Sequence, residues 1–208
     1  LEDRCTGYHD GAVETESGAR IQAELFVGAD GAASPLRTAA GLKHESQSYD
    51  DTGLVVHLDA ERPHQGTAFQ WFRDDGVLAL LPLPDNRCAL VWTRAGMDAQ
   101  RLANLDERSF LSELQGVFGY RLGTLKQVGA RHLYPLTLVE AEEQVRSHLA
   151  ILGNAAHSLH PIAGQGFNLS LRDANALAEA LLAGPAVPGD LATLQAYRER
   201  QRMDQTLT

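Results

Sequence analysis

Two short stretches of the chain carry residue types that could hold a ligand. The first runs Gly153-Asn154-Ala155-Ala156-His157, passes through Pro161, and continues as Gly164-Gln165-Gly166-Phe167-Asn168. Glycines let a backbone approach another group closely. The Gly164-Gln165-Gly166 step opens a helical pattern, and a helix N-terminus offers free N–H groups and the positive end of a dipole. Such a loop suits an anionic or electron-rich ligand. The second stretch is Gly28-Ala29-Asp30-Gly31, followed by Ser34 and Arg37. Asp30 can accept hydrogen bonds from loop amides and hold the turn closed, and Arg37 can face a phosphate. Taken alone, each stretch also reads as an ordinary glycine turn before a helix. His157 and His160 stand three apart with no accompanying cluster of carboxylates or cysteines, so no metal site is expected.

Both stretches follow apolar runs of the kind that form strands. His148 to Leu152 is a short buried-strand candidate. Val13-Glu14-Thr15, the turn Ser17-Gly18, and Ala19 to Val27, with Ile21, Ala23, Leu25 and Val27 alternating, read as strand, turn and strand. Ser34 is a good N-cap, Pro35 a good first helical residue and Gly41 a good terminator, which predicts a short helix over Pro35 to Ala40. After Gly166 the helical spacing of Leu171, Ala174, Leu177, Ala178 and Leu181 predicts a helix ended by Gly184-Pro185. Asp190 should cap a last helix carrying Leu191, Leu194 and Tyr197.

Between these stretches the signals change. Leu54–Leu58, Thr67–Phe72, Val77–Leu81 and Cys88–Trp92 are strand candidates joined by turns short enough to favour antiparallel neighbours. Phe69, Trp71, Phe72 and Trp92 could line a pocket on such a sheet or simply fill its core. An amphipathic helix is expected over Asp106 to Phe118 and a strand over Leu125 to Leu136.

The composition sets outer bounds. The chain has 208 residues, 44% of them hydrophobic and 22% charged, with a net charge of −9. That is enough apolar material for one sizeable core or two small ones, and an acidic chain is a poor non-specific nucleic-acid binder. Cys5 and Cys88 are far apart in sequence, which fits a reducing cytoplasm rather than a disulfide framework. No run approaches the ~18–20 apolar residues of a membrane span.

The Gly153–Asn168 stretch, continued by Asp173-Ala174, resembles the second flavin motif of the FAD-dependent aromatic hydroxylases: Gly-Asp-Ala-Ala-His, Pro, Gly-Gln-Gly-x-Asn, Asp-Ala. Asn154 departs from it, standing where Asp is usual. Gly28–Gly31 with Ser34 and Arg37 is similar to the Asp-Gly motif of the same family. Beyond these motifs, Leu159 to Leu169 and Phe118-Gly119-Tyr120-Arg121-Leu122-Gly123 resemble the ubiquinone-pathway hydroxylases, within them the 2-octaprenyl-6-methoxyphenol hydroxylase subfamily. That subfamily also tolerates Asn at the position of Asn154.

The resemblance implies an α/β fold, α+β at the level of this stretch. An antiparallel or mixed substrate-domain sheet would accompany the C-terminal part of a p-hydroxybenzoate-hydroxylase-like FAD-binding domain. It divides the chain at 1–46 (FAD domain with the Asp-Gly motif), 47–137 (substrate sheet) and 138–208 (FAD domain and C-terminal helices). The implied activity is hydroxylation of a prenylated phenol with O₂ and NAD(P)H through a flavin C4a-hydroperoxide, so no side chain need be nucleophile or metal ligand. Gly28, Asp30, Gly31, Arg37, Gly153, Asn154, Pro161, Gly164, Gln165, Gly166, Phe167 and Asn168 would bind FAD. Asn154 would meet a ribityl hydroxyl, Pro161 would lie beside the flavin ring, and the amides near Gly166 would face its pyrimidine edge.

The family places a Gly-x-Gly-x-x-Gly unit ahead of these motifs. This chain starts at Leu1 without it and is expected to be a piece of a longer protein that binds FAD poorly alone. Expected partners are the prenylated phenol and, as candidates, other ubiquinone-pathway proteins; nucleic acid is not expected. The expected location is the cytoplasm, with a peripheral contact to the inner membrane left open. Two rival readings remain: a flavin hydroxylase of another aromatic compound, and a non-catalytic recognition or assembly module.

Overall fold

A computed structural model describes residues 3–9, 11–158, 165–184 and 187–207. The chain opens with β1 (Cys5–His9), β2 (Ala12–Thr15), β3 (Arg20–Gln22), β4 (Phe26–Gly28) and α1 (Pro35–Ala39). Then come β5 (His44–Ala60), β6 (Phe69–Arg73), β7 (Gly76–Pro82), β8 (Arg87–Ala95), α2 (Gly96–Asn104) and α3 (Glu107–Phe118). The remainder is β9 (Leu125–Val128), β10 (His132–Ala141), β11 (Val145–Arg146), β12 (Leu149–Ile151), β13 (His157–Ser158), α4 (Gln165–Ala183) and α5 (Leu191–Leu207). The chain forms two compact units, one of Leu1–Gln47 with Thr137–Thr208, the other of Ser48–Leu136. It passes between them within the long strands β5 and β10.

In the first unit, β1, β2 and β3 form an antiparallel sheet. A second sheet has the order β11-β12-β4, with β12 and β4 parallel and paired Leu149↔Phe26, Ala150↔Val27 and Ile151↔Gly28. The segment expected as one strand over Ala19 to Val27 is therefore two strands in two sheets. Its alternating residues do not share a buried face, since Ile21 and Val27 are 48% and 44% exposed. Leu149, Ala150 and Ile151 are fully buried, as a short apolar run with both faces covered should be.

Helix α1 forms as its signals require. Ser34 Oγ accepts from the Arg37 N–H at 2.9 Å, Pro35 opens the helix, and Gly41 follows with φ +61. Helix α4 spans Gln165–Ala183, but its buried stripe is Leu169, Asp173, Ala176, Leu177 and Ala180. Of the expected stripe, Leu177 is buried and Leu181 packs against the core, while Leu171, Ala174 and Ala178 are exposed, Leu171 at 54%. Helix α5 packs on α4 through Leu194 and Tyr197, and Asp190 caps it by accepting from the Thr193 N–H at 3.0 Å.

In the second unit, β6, β7 and β8 are consecutive antiparallel neighbours, while β5 pairs with β8 rather than β6. Its core joins sheet residues such as Leu54, Leu78, Leu90 and Trp92 to Phe110, Leu114 and Phe118 of α3. Each such fully buried side chain contributes about 1.5–3 kcal/mol. Trp92 is core, Phe69 and Trp71 pack against that core, and Phe72 is exposed. Helix α2 is an element the sequence did not announce. The strand expected over Leu125 to Leu136 is broken into β9 and β10, where the Gly129 N–H donates to the His57 carbonyl.

Candidate functional site

The parallel register of β4 and β12 brings the two ligand-type stretches together. Gly28 and Ile151 are paired, and the Leu152 N–H donates to the Gly28 carbonyl at 2.9 Å. The Gly28–Gly31 and Gly153–Ala155 turns thus leave one sheet edge side by side. Between them opens a cleft of about 340 Å³ lined by Ala29, Gly31, Leu152, Gly153, Asn154, Phe167 and Ser170.

The glycines have distinct causes. A Cβ on Gly28 would stand 2.8 Å from Ile151 Cγ2 and 3.3 Å from Leu36 Cδ2, so this glycine allows strand and helix to close up. Gly31 has φ +89, and a Cβ there would meet nothing within 4 Å, so the space beside it is open. Gly153 has φ +58 and begins a 3-10 turn over Gly153–Ala155. Gly166 sits in the first turn of α4 without positive φ, and a Cβ there also meets open space.

The Asp-Gly turn is closed by its own side chains. Asp30 accepts from Ser34 Oγ at 2.5 Å and from the Leu36 N–H at 3.0 Å. Arg37, expected to face a phosphate, has protein partners here. Its guanidinium is buried and donates to the Ala155 carbonyl and to the Ala32 carbonyl, both at 2.7 Å. Burial pulls it below its ordinary value and the nearby Asp30 charge opposes that pull; it stays cationic all the same. Arg37 is a strut between the two turns.

Two further residues complete the arrangement. Asp173 Oδ2, on the buried stripe of α4, accepts from the Gly153 N–H at 2.9 Å and lies 2.5 Å from His157 Nε2. His157 is on β13, opposite Glu140 of β10. The sequence placed Asp173 and His157 in the flavin motif without giving either a partner, and no metal site was expected of His157. A usable signal was present, because a carboxylate four residues after Leu169 and four before Leu177 occupies a core position and requires a partner.

Of the remaining expected site residues, Asn154 lines the cleft as the exposed middle residue of the 3-10 turn. Gln165, Phe167 and Asn168 are exposed in the first turn of α4, Phe167 at 72%. Pro161 and Gly164 lie outside the described residues. Burial raises the thiols of Cys5 and Cys88, which suits neither to a thiolate role. Among the described residues no three His, Cys, Asp or Glu side chains cluster to hold a metal ion, and no helix is long and apolar enough to cross a membrane.

The cleft suits part of a flavin dinucleotide. It has small residues in its walls, an amide at Asn154, open space at Gly31, and the first turn of α4, through Phe167, at its rim.

Comparison with known proteins agrees with this geometry. A family model described as FAD binding domain matches residues 7–207. The chain is 41% identical over 202 residues to ubiquinone hydroxylase UbiL of Rhodospirillum rubrum, covering 95% of this chain and 47% of that protein. It is 36% identical to 3-demethoxyubiquinol 3-hydroxylase of Escherichia coli, covering 82% of this chain and 43% of that protein. It is 33% identical to the human mitochondrial ubiquinone biosynthesis monooxygenase COQ6, covering 91% and 49%. The chain spans about half the length of these curated relatives. Among solved structures, PqsL of P. aeruginosa in complex with 2-aminobenzoylacetate superposes with TM-score 0.77 at 25% identity, covering 99% of this chain and 60% of that one. The tetrameric form of 2-methyl-3-hydroxypyridine-5-carboxylic acid oxygenase gives TM-score 0.73 at 20% identity, covering 97% and 56%, a likeness of fold. With the family model spanning residues 7–207, nearly all of the chain, the chain belongs to the FAD-binding-domain family.

Proposed function

We propose that this chain forms one wall of the FAD site of a monooxygenase that hydroxylates the aromatic ring of a prenylated phenol in ubiquinone biosynthesis, using O₂ and NAD(P)H. The observation that carries this reading is the parallel pairing of β4 with β12. It joins two glycine turns far apart in sequence around one cleft. The ubiquinone-pathway names of the relatives support the substrate class.

When bound, FAD would supply the oxygen chemistry that no side chain here could perform. The residues of the chain bind and orient. Gly31 lets the backbone approach the ligand, Gly153 lets the turn close on Ser170 of α4, and the Asn154 amide meets a ribityl hydroxyl without adding charge. The first-turn N–H groups of α4, at Gln165 to Asn168, direct a positive potential at the ring and favour its anionic reduced form. Pro161 and Gly164 are assigned to the same site on the motif alone. Asp30 and Arg37 hold the turns rather than touch the ligand. The unit Ser48–Leu136 is assigned to the phenol, and the rest of the chain to FAD. Cytoplasmic location, peripheral contact with the inner membrane and association with other pathway proteins go with this reading.

The test uses the whole purified protein. It should carry stoichiometric FAD, and with NAD(P)H and O₂ it should convert a prenylated phenol to the product one oxygen heavier. A protein that takes up no FAD on titration would overturn the reading. A flavoprotein that oxidises NAD(P)H but hydroxylates only unprenylated aromatics would overturn the substrate assignment.

A further inference from the structure

We propose that Asp173 and His157 are positioning residues for the FAD site: one buried carboxylate, oriented by the imidazole, sets the Gly153 peptide and with it the Asn154 amide. The inference rests on the reading of the cleft as the flavin site.

Asp173 is fully buried and His157 nearly so. One oxygen, Oδ2, serves both partners, the Gly153 N–H at 2.9 Å and His157 Nε2 at 2.5 Å. The pair therefore ties three elements, α4, the 3-10 turn and β13, at a single atom. A buried carboxylate–imidazole pair is a poor source of stability, since apolar side chains of the same volume usually do as well or better. What it supplies is direction. A peptide entering a turn at φ +58 can rotate, and a charged acceptor on its N–H removes that freedom. The same turn is held at its far end by Arg37, through the Ala155 carbonyl. Asn154 lies between the two anchors and is the residue exposed to the cleft. Asp173 and His157 do not line that cleft, so any effect on FAD passes through the elements they tie, first of all the turn whose N–H Asp173 accepts.

The test measures FAD dissociation constants and apo-protein thermal midpoints in the whole flavoprotein stripped of cofactor. The variants are Asp173→Asn, His157→Gln, their double mutant, Asn154→Ala and Leu194→Ala. Leu194 is a fully buried core residue of α5 and serves as a control for general destabilisation. Asp173→Asn should raise the FAD Kd about ten- to a hundredfold, the range of one charged hydrogen bond. His157→Gln should raise it less, and the double mutant should be no worse than Asp173→Asn, because both act through one atom. Leu194→Ala should lower the thermal midpoint while leaving Kd within about twofold of wild type.

Equal Kd increases in Leu194→Ala and Asp173→Asn would overturn the proposal by showing that only stability matters. If Asn154→Ala weakens FAD and Asp173→Asn does not, positioning is wrong and the flavin site stands. If Asn154→Ala binds FAD normally, the site reading itself falls. Should Asp173→Asn not fold, His157→Gln decides alone: an unchanged Kd refutes the proposal, a raised one at constant protein fold supports it.

Discussion

Replacing Arg37 by methionine separates the two roles an arginine after an Asp-Gly turn could play. Methionine keeps most of the stem volume and removes the guanidinium. The side chain is buried and donates to the Ala155 and Ala32 carbonyls, each at 2.7 Å. A hydrogen bond from a charged donor is worth about 1.5–3 kcal/mol, and removal leaves two carbonyl acceptors unsatisfied. Allowing for imperfect additivity, the loss should be about 3–5 kcal/mol. That is a large share of the roughly 5–15 kcal/mol that stabilises a typical domain. At about 2–4 °C per kcal/mol for a chain of this size, the thermal midpoint should fall by roughly 6–20 °C. Arg37→Lys can reach one carbonyl and should lose about half as much. Urea denaturation of the apo-protein reads the effect directly. If Arg37→Met were as stable as wild type to within about 0.5 kcal/mol yet bound FAD more than tenfold weaker, the guanidinium would be facing the ligand's phosphate and the strut assignment would be wrong.

Gly166→Val should fold normally, because a Cβ there meets nothing and the backbone is helical; FAD binding should nevertheless fail, since the open space belongs to the ligand. Normal flavin content in that variant would remove the N-terminus of α4 from the site. It should be more damaging than Asn154→Asp, which keeps an acceptor oxygen. Gly28→Ala should destabilise by about 1–3 kcal/mol, as its Cβ collides with Ile151 at 2.8 Å; an unchanged denaturation midpoint would refute the packing argument. Acid should also weaken the second unit. The Arg94 guanidinium holds Asp75, and the Arg101 guanidinium holds Glu113, below the ordinary carboxylate range. The folded protein then binds fewer protons than the unfolded chain, so this stabilisation is full above about pH 5 and is lost as pH falls through the lowered values. Arg101→Gln should flatten stability against pH between about 5 and 3; an unaltered slope would mean the exposed pair contributes nothing.

Local signals predicted what local energetics decides. Ser34, Pro35 and Gly41 announced α1, Asp106 announced α3, and short polar turns announced β6, β7 and β8 as neighbours. The errors arose where partners distant in sequence decide. Ile21 and Val27 alternate in step, yet the chain leaves one sheet before Leu25 and joins another at Phe26, so one period covers two environments. Helix α2 starts after Ala95, whose side chain makes no cap, and so gave no start signal. The stripe of α4 was placed from apolar spacing alone, whereas its buried face includes Asp173, whose partners lie 16 and 20 residues earlier. The carbonyl partners of Arg37 were not legible for a similar reason. Its acceptor at Ala155 lies 118 residues away.

The geometry of the 3-10 turn follows from parallel pairing. In the β4–β12 register Ile151 stands level with Gly28, so the two strands end at the same height and both turns emerge at one edge. Each strand is followed by a helix, α1 or α4, whose buried face returns beneath the turns. From α1, the Arg37 cation reaches the turn's C-terminal carbonyl; from α4, the Asp173 anion reaches its N-terminal N–H. A donor of positive charge therefore meets the end of the turn that accepts, and an acceptor of negative charge meets the end that donates. Reversing the two charges would leave both turn ends facing groups of the wrong polarity. The arrangement fixes the short segment between the anchors, and that segment exposes one polar side chain, Asn154, to the cleft. An antiparallel pairing would put the two glycine turns at opposite ends of the strands, where they could not wall one cleft side by side. The direction of β12 relative to β4 is thus the feature on which the site depends.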